Sequence, residues 1–279
     1  MKNLFLIFLS SIATAQSALN AQIRMKSETK PTLYQITAAN SANIKYVKDG
    51  TEASLSTRNV EAYHLTDPRK YTVAYNHMLS GDYETALDQF KTVTKDYSSF
   101  ALLDNNPANK AAYYAHFCAI QLGQYDQLGE LESLVNKKTL IGGEFLKKGE
   151  TLDVWENVAN NDLDRILAKL KSVRLEKYPN EVAAELAYLK SLGNLHESNK
   201  EEAIDNLHQS IALASTNFKS FERLAIVKLL ELLNEGDAIS EKDAKLFKGL
   251  GTHYQTFYAH KIELPLPILA RLRDLGLDV

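Results

Sequence analysis

Between Tyr71 and Val93 the chain carries two apolar stripes at helical spacing, joined by residues that cannot continue a helix. Tyr71, Ala74, Tyr75 and Met78 share one helix face, Tyr83, Ala86, Leu87, Phe90 and Val93 share another, and Ser80-Gly81-Asp82 stands between them. Glycine adopts the left-handed conformation that ends a helix without steric cost, so this pattern predicts two antiparallel helices with a tight turn. The pattern returns as Ala111, Ala115, Ala119 and Leu122, then Gly123-Gln124, then Tyr125, Leu128, Leu131 and Val135. A looser form spans Glu181 to Ala214. There Val182, Leu186 and Leu189 precede Ser198-Asn199-Lys200-Glu201, which reads as a capping box, and Ala203, Leu207 and Ile211 follow. Recurring hairpins of this kind must bury their apolar faces on one another.

Composition supports long helices. The 279 residues include 12 Gly and 6 Pro, against roughly 33 in total at average usage. A hydrophobic fraction of 45% is enough to build a core and excludes wholesale disorder. Lys and Arg number 32 against 35 Asp and Glu, without long runs of one sign, so a nucleic-acid partner has no electrostatic footprint. Further helices are expected over Thr151–Ala159 and Asp162–Tyr178, behind a Gly142-Gly143 loop. Phe218–Asn234 is apolar nearly all round and should lie buried between neighbours. Ser240–His260, opened by Ser240-Glu-Lys-Asp243, and Pro267–Leu275 complete a count of nine to eleven helices.

The first 66 residues differ in character. Lys2, the apolar run from Leu4 to Leu9 and the small residues Ala13-Thr14-Ala15 read as a secretory signal peptide within residues 1–21, with cleavage after Ala15 or Ala21. The run is shorter than the ~20 residues needed to cross a bilayer, so the expected product is exported, periplasmic or secreted, with no membrane insertion after signal removal. The single cysteine, Cys118, is far from either cut, which argues against a lipoprotein and leaves no internal disulfide. Residues 22–66 read as a short linker and a small antiparallel β meander of three or four strands over 33–65, with Lys48-Asp49-Gly50 as a hairpin turn. Asp67-Pro68 then marks the change to helical period, Asp67 as a cap. Residues 67–279 form the helical part.

The segment Leu79-Ser-Gly-Asp-Tyr-Glu-Thr-Ala-Leu-Asp-Gln-Phe90 resembles the centre of a tetratricopeptide repeat (TPR), on Gly81, Tyr83, Ala86 and Phe90. Gly123 and Tyr125 match again, whereas Leu128 and Glu132 depart from the small and bulky residues expected there. The match is best over residues 67–100 and degenerate elsewhere. The resemblance implies a TPR-like α-α superhelix of helical hairpins; with the signal-like segment and the small β segment that precede it, the expected product is an exported, mainly α protein. The resemblance also implies a binding architecture whose partner is another protein or a peptide.

Catalytic motifs are missing from the sequence. It has no Gly-x-Ser-x-Gly elbow, P-loop, His-Glu-x-x-His or Cys-x-x-Cys. Gly142-Gly143 and Gly149 lack the preceding strand of a phosphate cradle. Cys118, flanked by Phe117 and Ile120, reads as a small core residue. His253 and His260 are too far apart to share a metal without a third ligand, and Glu181 and Glu185 read as solvated helix charges. No catalytic residue, metal site or cofactor is therefore assigned, and no enzymatic activity is expected. One constellation remains. Tyr71 and Tyr113 lie ten residues before Gly81 and Gly123, Tyr75 and Phe117 six before, and Tyr188 ten before Ser198. In stacked hairpins these rings form a ladder on one side of the array. Either the ladder lines an open groove for an extended ligand, or it is covered by another part of the chain. The expected function is a non-catalytic protein–protein interaction or scaffolding module of the cell envelope. The alternative is a glycan- or small-ligand-binding protein using the aromatic groove.

Overall fold

Asp49 and Gly50 both take positive φ, 50° and 75°, which makes the hairpin turn that the Asp-Gly pair dictates. Around it a computed structural model, describing residues 17–141, 145, 147–214, 220–236, 239–260 and 262–279, shows a five-stranded antiparallel sheet. The strands are β1 (Leu19–Met25), β2 (Thr32–Ala39), β3 (Asn43–Lys48), β4 (Thr51–Ser56) and β5 (Val60–Leu65), in the order β4-β3-β2-β1-β5. The sheet therefore has one strand more than a meander confined to 33–65. The added strand β1 is internal and pairs with both β2 and β5. Its Leu19, Ala21 and Ile23 face inward while Asn20 and Gln22 face water. A cut after Ala21 would divide this strand, whereas a cut after Ala15 would leave it whole.

The edge strands β4 and β5 are consecutive and joined by only three residues, Thr57–Asn59. Opposite edges of a flat five-stranded sheet lie about 19 Å apart, more than the roughly 14 Å that this link can span. The sheet is accordingly strongly curled, with Ile23, Ile36 and Ile44 inside. It docks on the helices through Ser99 Oγ to the Thr37 carbonyl (3.4 Å) and through the Asp104 N–H to Tyr63 Oη (2.7 Å). An Asp67–Lys110 ion pair adds to this contact. Asp67 thus pairs with a lysine instead of capping a helix; Pro68 occupies the cap position.

Eleven α-helices follow among the described residues. The first eight are α1 (Arg69–Ser80), α2 (Tyr83–Asp96), α3 (Pro107–Leu122), α4 (Leu128–Ser133), α5 (Lys148–Ala159), α6 (Asp164–Leu170), α7 (Asn180–His196) and α8 (Lys200–Leu213). They form four hairpins, and all four close with the same turn. The N–H groups of Gly81, Gly123, Asn161 and Ser198 bond to the carbonyls of Met78, Ile120, Val158 and Leu195. The next residues, Asp82, Gln124, Asp162 and Asn199, bond to His77, Ala119, Asn157 and Asn194. These paired bonds define a Schellman motif, and the residue at its centre is left-handed each time, at φ 85°, 71°, 54° and 61°. Ser198 is therefore the turn residue and not the cap. Asn199 caps α8, accepting from the Glu202 N–H. The turns at 81, 123, 161 and 198 recur every 37 to 42 residues. Five residues after each stands a fully buried side chain: Ala86, Leu128, Ile166 and Ala203.

Three more helices complete the chain: α9 (Ser220–Leu233), α10 (Glu241–Phe257) and α11 (Leu266–Asp274). Ser240 caps α10, accepting from the Asp243 N–H. The apolar circumference of α9 serves two cores. Phe221, Ala225, Leu229 and Leu232 join the main core of sheet and hairpins, and Ile226 and Leu230 join a second core with Phe247, Tyr254 and Leu272 of α10 and α11.

Candidate functional site

The aromatic ladder exists as a spatial cluster, and it is covered. Tyr71, Tyr113, Phe117 and Tyr188 are buried, and Tyr75 is half-buried. Tyr71 lies 5.8 Å from the Phe90 ring, and Tyr113 lies 5.6 Å from that of Phe145. Trp155, six residues before the third turn as Phe117 is before the second, continues the series and stacks on Tyr125 (5.9 Å) and Tyr188 (6.2 Å). Over Phe117, Trp155 and Tyr188 the cover is α9, whose Phe221 packs on them at 6.2, 6.3 and 6.0 Å, whereas Tyr71 and Tyr113 are packed by Phe90, Tyr114 and Phe145. An open aromatic groove is thus not what these rings form. A helix that is apolar all round needs apolar partners on every side, and it takes the aromatic face of the array as one of them. The signature residues Gly81, Tyr83, Ala86, Phe90 and Gly123 are likewise buried or in turns, and Tyr125 is half-buried.

Beside α9 the cover is incomplete. A pocket of about 640 Å³ opens where the first two hairpin turns meet α9 and the α10–α11 connection. Tyr83, Tyr125 and Tyr188 give it aromatic walls, and Arg223 and Gln121 form part of its lining. Arg223, 5% exposed, donates from Nη2 to the Gln121 carbonyl (2.6 Å) and to Gln121 Oε1 (3.1 Å). The guanidinium sits 6.0 Å from the Tyr83 ring centroid. Among the described residues no carboxylate pairs with Arg223, and neither its Nε nor Gln121 Nε2 has a hydrogen-bond partner. Buried donors are ordinarily satisfied; Arg24 Nε, Thr37 Oγ1 and His116 Nε2, elsewhere in the fold, share this lack of a hydrogen-bond partner.

Other buried polar groups lie outside the lining of this pocket. Glu185 is buried, not solvated; Trp155 Nε1 donates to its Oε1 at 2.7 Å, and burial pushes its carboxyl up to about 7. Lys148 is buried beside it, 3.7 Å from Glu181 and about 5.7 Å from the Tyr113 and Phe145 ring centroids. Glu222 accepts from Tyr258 Oη (2.6 Å) and contacts His253 Nε2 (2.9 Å), which joins α9 to the end of α10. Burial pushes the Tyr258 hydroxyl and the Cys118 thiol up, so both stay protonated. His116 is buried and held down at about 3, chiefly by desolvation and secondarily by Lys137. Among the described residues no group of three or more His, Cys, Asp or Glu side chains is placed to hold a metal ion, and no helix is long and apolar enough to cross a membrane. Gly142 and Gly143 lie outside the described residues.

Sequence reasoning missed Arg223, Gln121 and Trp155. The position of Trp155 relative to Asn161 was the available signal for one of them; Arg223 and Gln121 lie 102 residues apart in sequence and meet only through the fold. Compared with known proteins, the chain matches no family model, no curated protein and no solved structure.

Proposed function

We propose that the chain is a non-catalytic, exported protein-interaction module built on TPR-like hairpins, which holds a polypeptide segment in the pocket between the first two hairpin turns and α9. The supporting observation is the pocket beside α9, where consecutive hairpin turns present Tyr83 and Tyr125 to solvent-accessible space together with a buried guanidinium. Stacked hairpins of this kind give a curved surface suited to extended ligands. The glycan-binding alternative depends on an uncovered aromatic face, and α9 covers it. Export rests on the N-terminal signal-like segment, whose removal after Ala15 is compatible with an intact β1.

Site-specific photo-crosslinking in envelope extracts tests this reading. A benzophenone amino acid in place of Glu84, at the pocket, should capture a discrete polypeptide. The same probe at Thr92, exposed elsewhere on α2, should not. Capture at neither position, or equally at both, would contradict the assignment of the pocket.

A further inference from the structure

Strand β5 keeps one edge without a partner strand. Thr66 donates its N–H to the Asn20 carbonyl at 2.9 Å, and β5 is in register with β1 as Leu65 with Ala21, His64 with Gln22 and Tyr63 with Ile23. Main-chain groups alternate in direction along an antiparallel strand. His64 therefore points at β1 as Thr66 does, and Tyr63 and Leu65 point away from it. Among the described residues nothing bonds to the main chain of Tyr63 or Leu65. Sheets ordinarily blunt or cover such an edge. Here a cleft of about 780 Å³ runs beside it, lined by every residue from Val60 to Asp67 and by none of β1 or β2. Inward-facing and outward-facing residues of β5 share this lining, which puts the cleft along the free side of the strand and not over one face of the sheet. The helical part contributes Leu102 and Ile141, apolar yet 57% and 45% exposed, and the exposed Asp104.

The charge of the cleft is uneven. Its acidic residues are Glu61, Asp67 and Asp104, and its one lysine, Lys110, is paired with Asp67. Glu61 bonds to Arg24, which lies outside the lining, at 3.1 Å. Asp104 forms no ion pair among the described residues. We infer that the cleft takes up an extended polypeptide segment as a further strand on β5, with a Lys or Arg side chain beside Asp104 and an apolar one against Leu102 or Ile141. The unpaired edge offers donors and acceptors at the spacing of an extended main chain, and the excess of acid selects basic side chains. A second copy joined edge to edge would set these carboxylates against their own kind, so the occupant is a different chain. This site shares no lining residue with the pocket beside α9 and is argued independently of it.

Site-resolved amide exchange of the full chain tests this with three pools of N-acetylated, amidated octapeptides. The first pool alternates Lys or Arg with Val, Ile or Thr. The second carries Asp or Glu in place of the bases. The third is the first pool N-methylated at every residue, which keeps side chains and charge and removes the main-chain donors. With the first pool at about ten times Kd, the Tyr63 and Leu65 amides should exchange roughly tenfold more slowly, and those of His64 and Thr66, bonded to β1, should not change. The second and third pools should have no effect. Asp104→Lys keeps the N–H that bonds Tyr63 Oη. It should weaken the first pool at least about tenfold and let the second bind. If that variant does not fold, Leu102→Ser takes its place, with binding at least about threefold weaker. Unchanged rates at the solubility limit of the first pool, equal slowing by the second or third, or full binding retained in the folded variant would overturn the inference. So would a dimer in the peptide-free protein with the Tyr63 and Leu65 amides already slow, which would give the edge to a second copy.

Discussion

Trp155 Nε1 donates to Glu185 Oε1 at 2.7 Å, tying the first helix of the third hairpin to that of the fourth where neither side chain reaches bulk solvent. Burial is the main reason the Glu185 carboxyl titrates at about 7 instead of 4.5; its bonds to Trp155 and Thr151 and the nearby Lys148 pull it back only in part. A folded-state pKa above the unfolded value means that the native protein holds the proton more tightly. Stability from this group is complete below pH 4.5 and is lost as pH rises through 7, by up to about 3 kcal/mol. His116 works in the opposite sense: held down at about 3, it costs the native state progressively as pH falls from 6.5 toward 3. Denaturant melts across pH 4–8 should show Glu185→Gln flattening the loss on the alkaline side. His116→Gln should flatten the loss on the acid side. Unaltered profiles in both variants would place these groups in contact with solvent.

The four equivalent turns make opposite substitutions informative. At Gly123 an added Cβ meets no atom within 4 Å, so Gly123→Ala tests backbone strain alone and should destabilise by about 1 kcal/mol. Ser198 bears that strain already, at φ 61°. Ser198→Gly should stabilise by up to about 1 kcal/mol, reduced by the added freedom of the unfolded chain. Urea midpoints measure both. Equal signs for the two changes would show that the turns are not equivalent.

These turns also show what the sequence could and could not reveal. Gly81 and Gly123 announce a left-handed residue because glycine is the default there. Asn161 and Ser198 occupy the same conformation without that signature, so the third hairpin was legible as two helices but not as a repeat. Strand β1 carries the alternation of Leu19, Ala21 and Ile23, yet it abuts a signal-like segment and escaped notice for that reason. The all-round apolar character of α9 predicted burial, but not the face it would cover. That face is set by contacts between residues far apart in sequence, such as Phe221 with Phe117, and these decide whether the aromatic ladder is groove or core.

Because the ladder is core, Tyr71→Ala and Tyr113→Ala should each destabilise by roughly 3–5 kcal/mol, by analogy with buried Phe→Ala truncations. The double variant should be unfolded or degraded on expression. Thermal melts of the purified singles check this. Losses within about 0.5 kcal/mol would instead mark exposed rings.

At the N-terminus, removal of residues 1–15 should leave the sheet folded. Removal of residues 1–21 takes away Leu19 and Ala21, which pair with Ile36 and Leu65, and should unravel it. Amide exchange of β2 and β5 separates the two truncations: slow in the first, fast in the second. Equal protection would mean that β1 does not depend on those residues.

Trp155, the chain's one tryptophan, reports directly on whether α9 covers the inner face of the array. Its emission should be blue-shifted and resist quenching by acrylamide and iodide. Phe221→Ala, which opens the cover above the ring, should shift emission to the red and admit the quenchers. A solvent-like spectrum with free quenching in the unaltered protein would contradict the covered array.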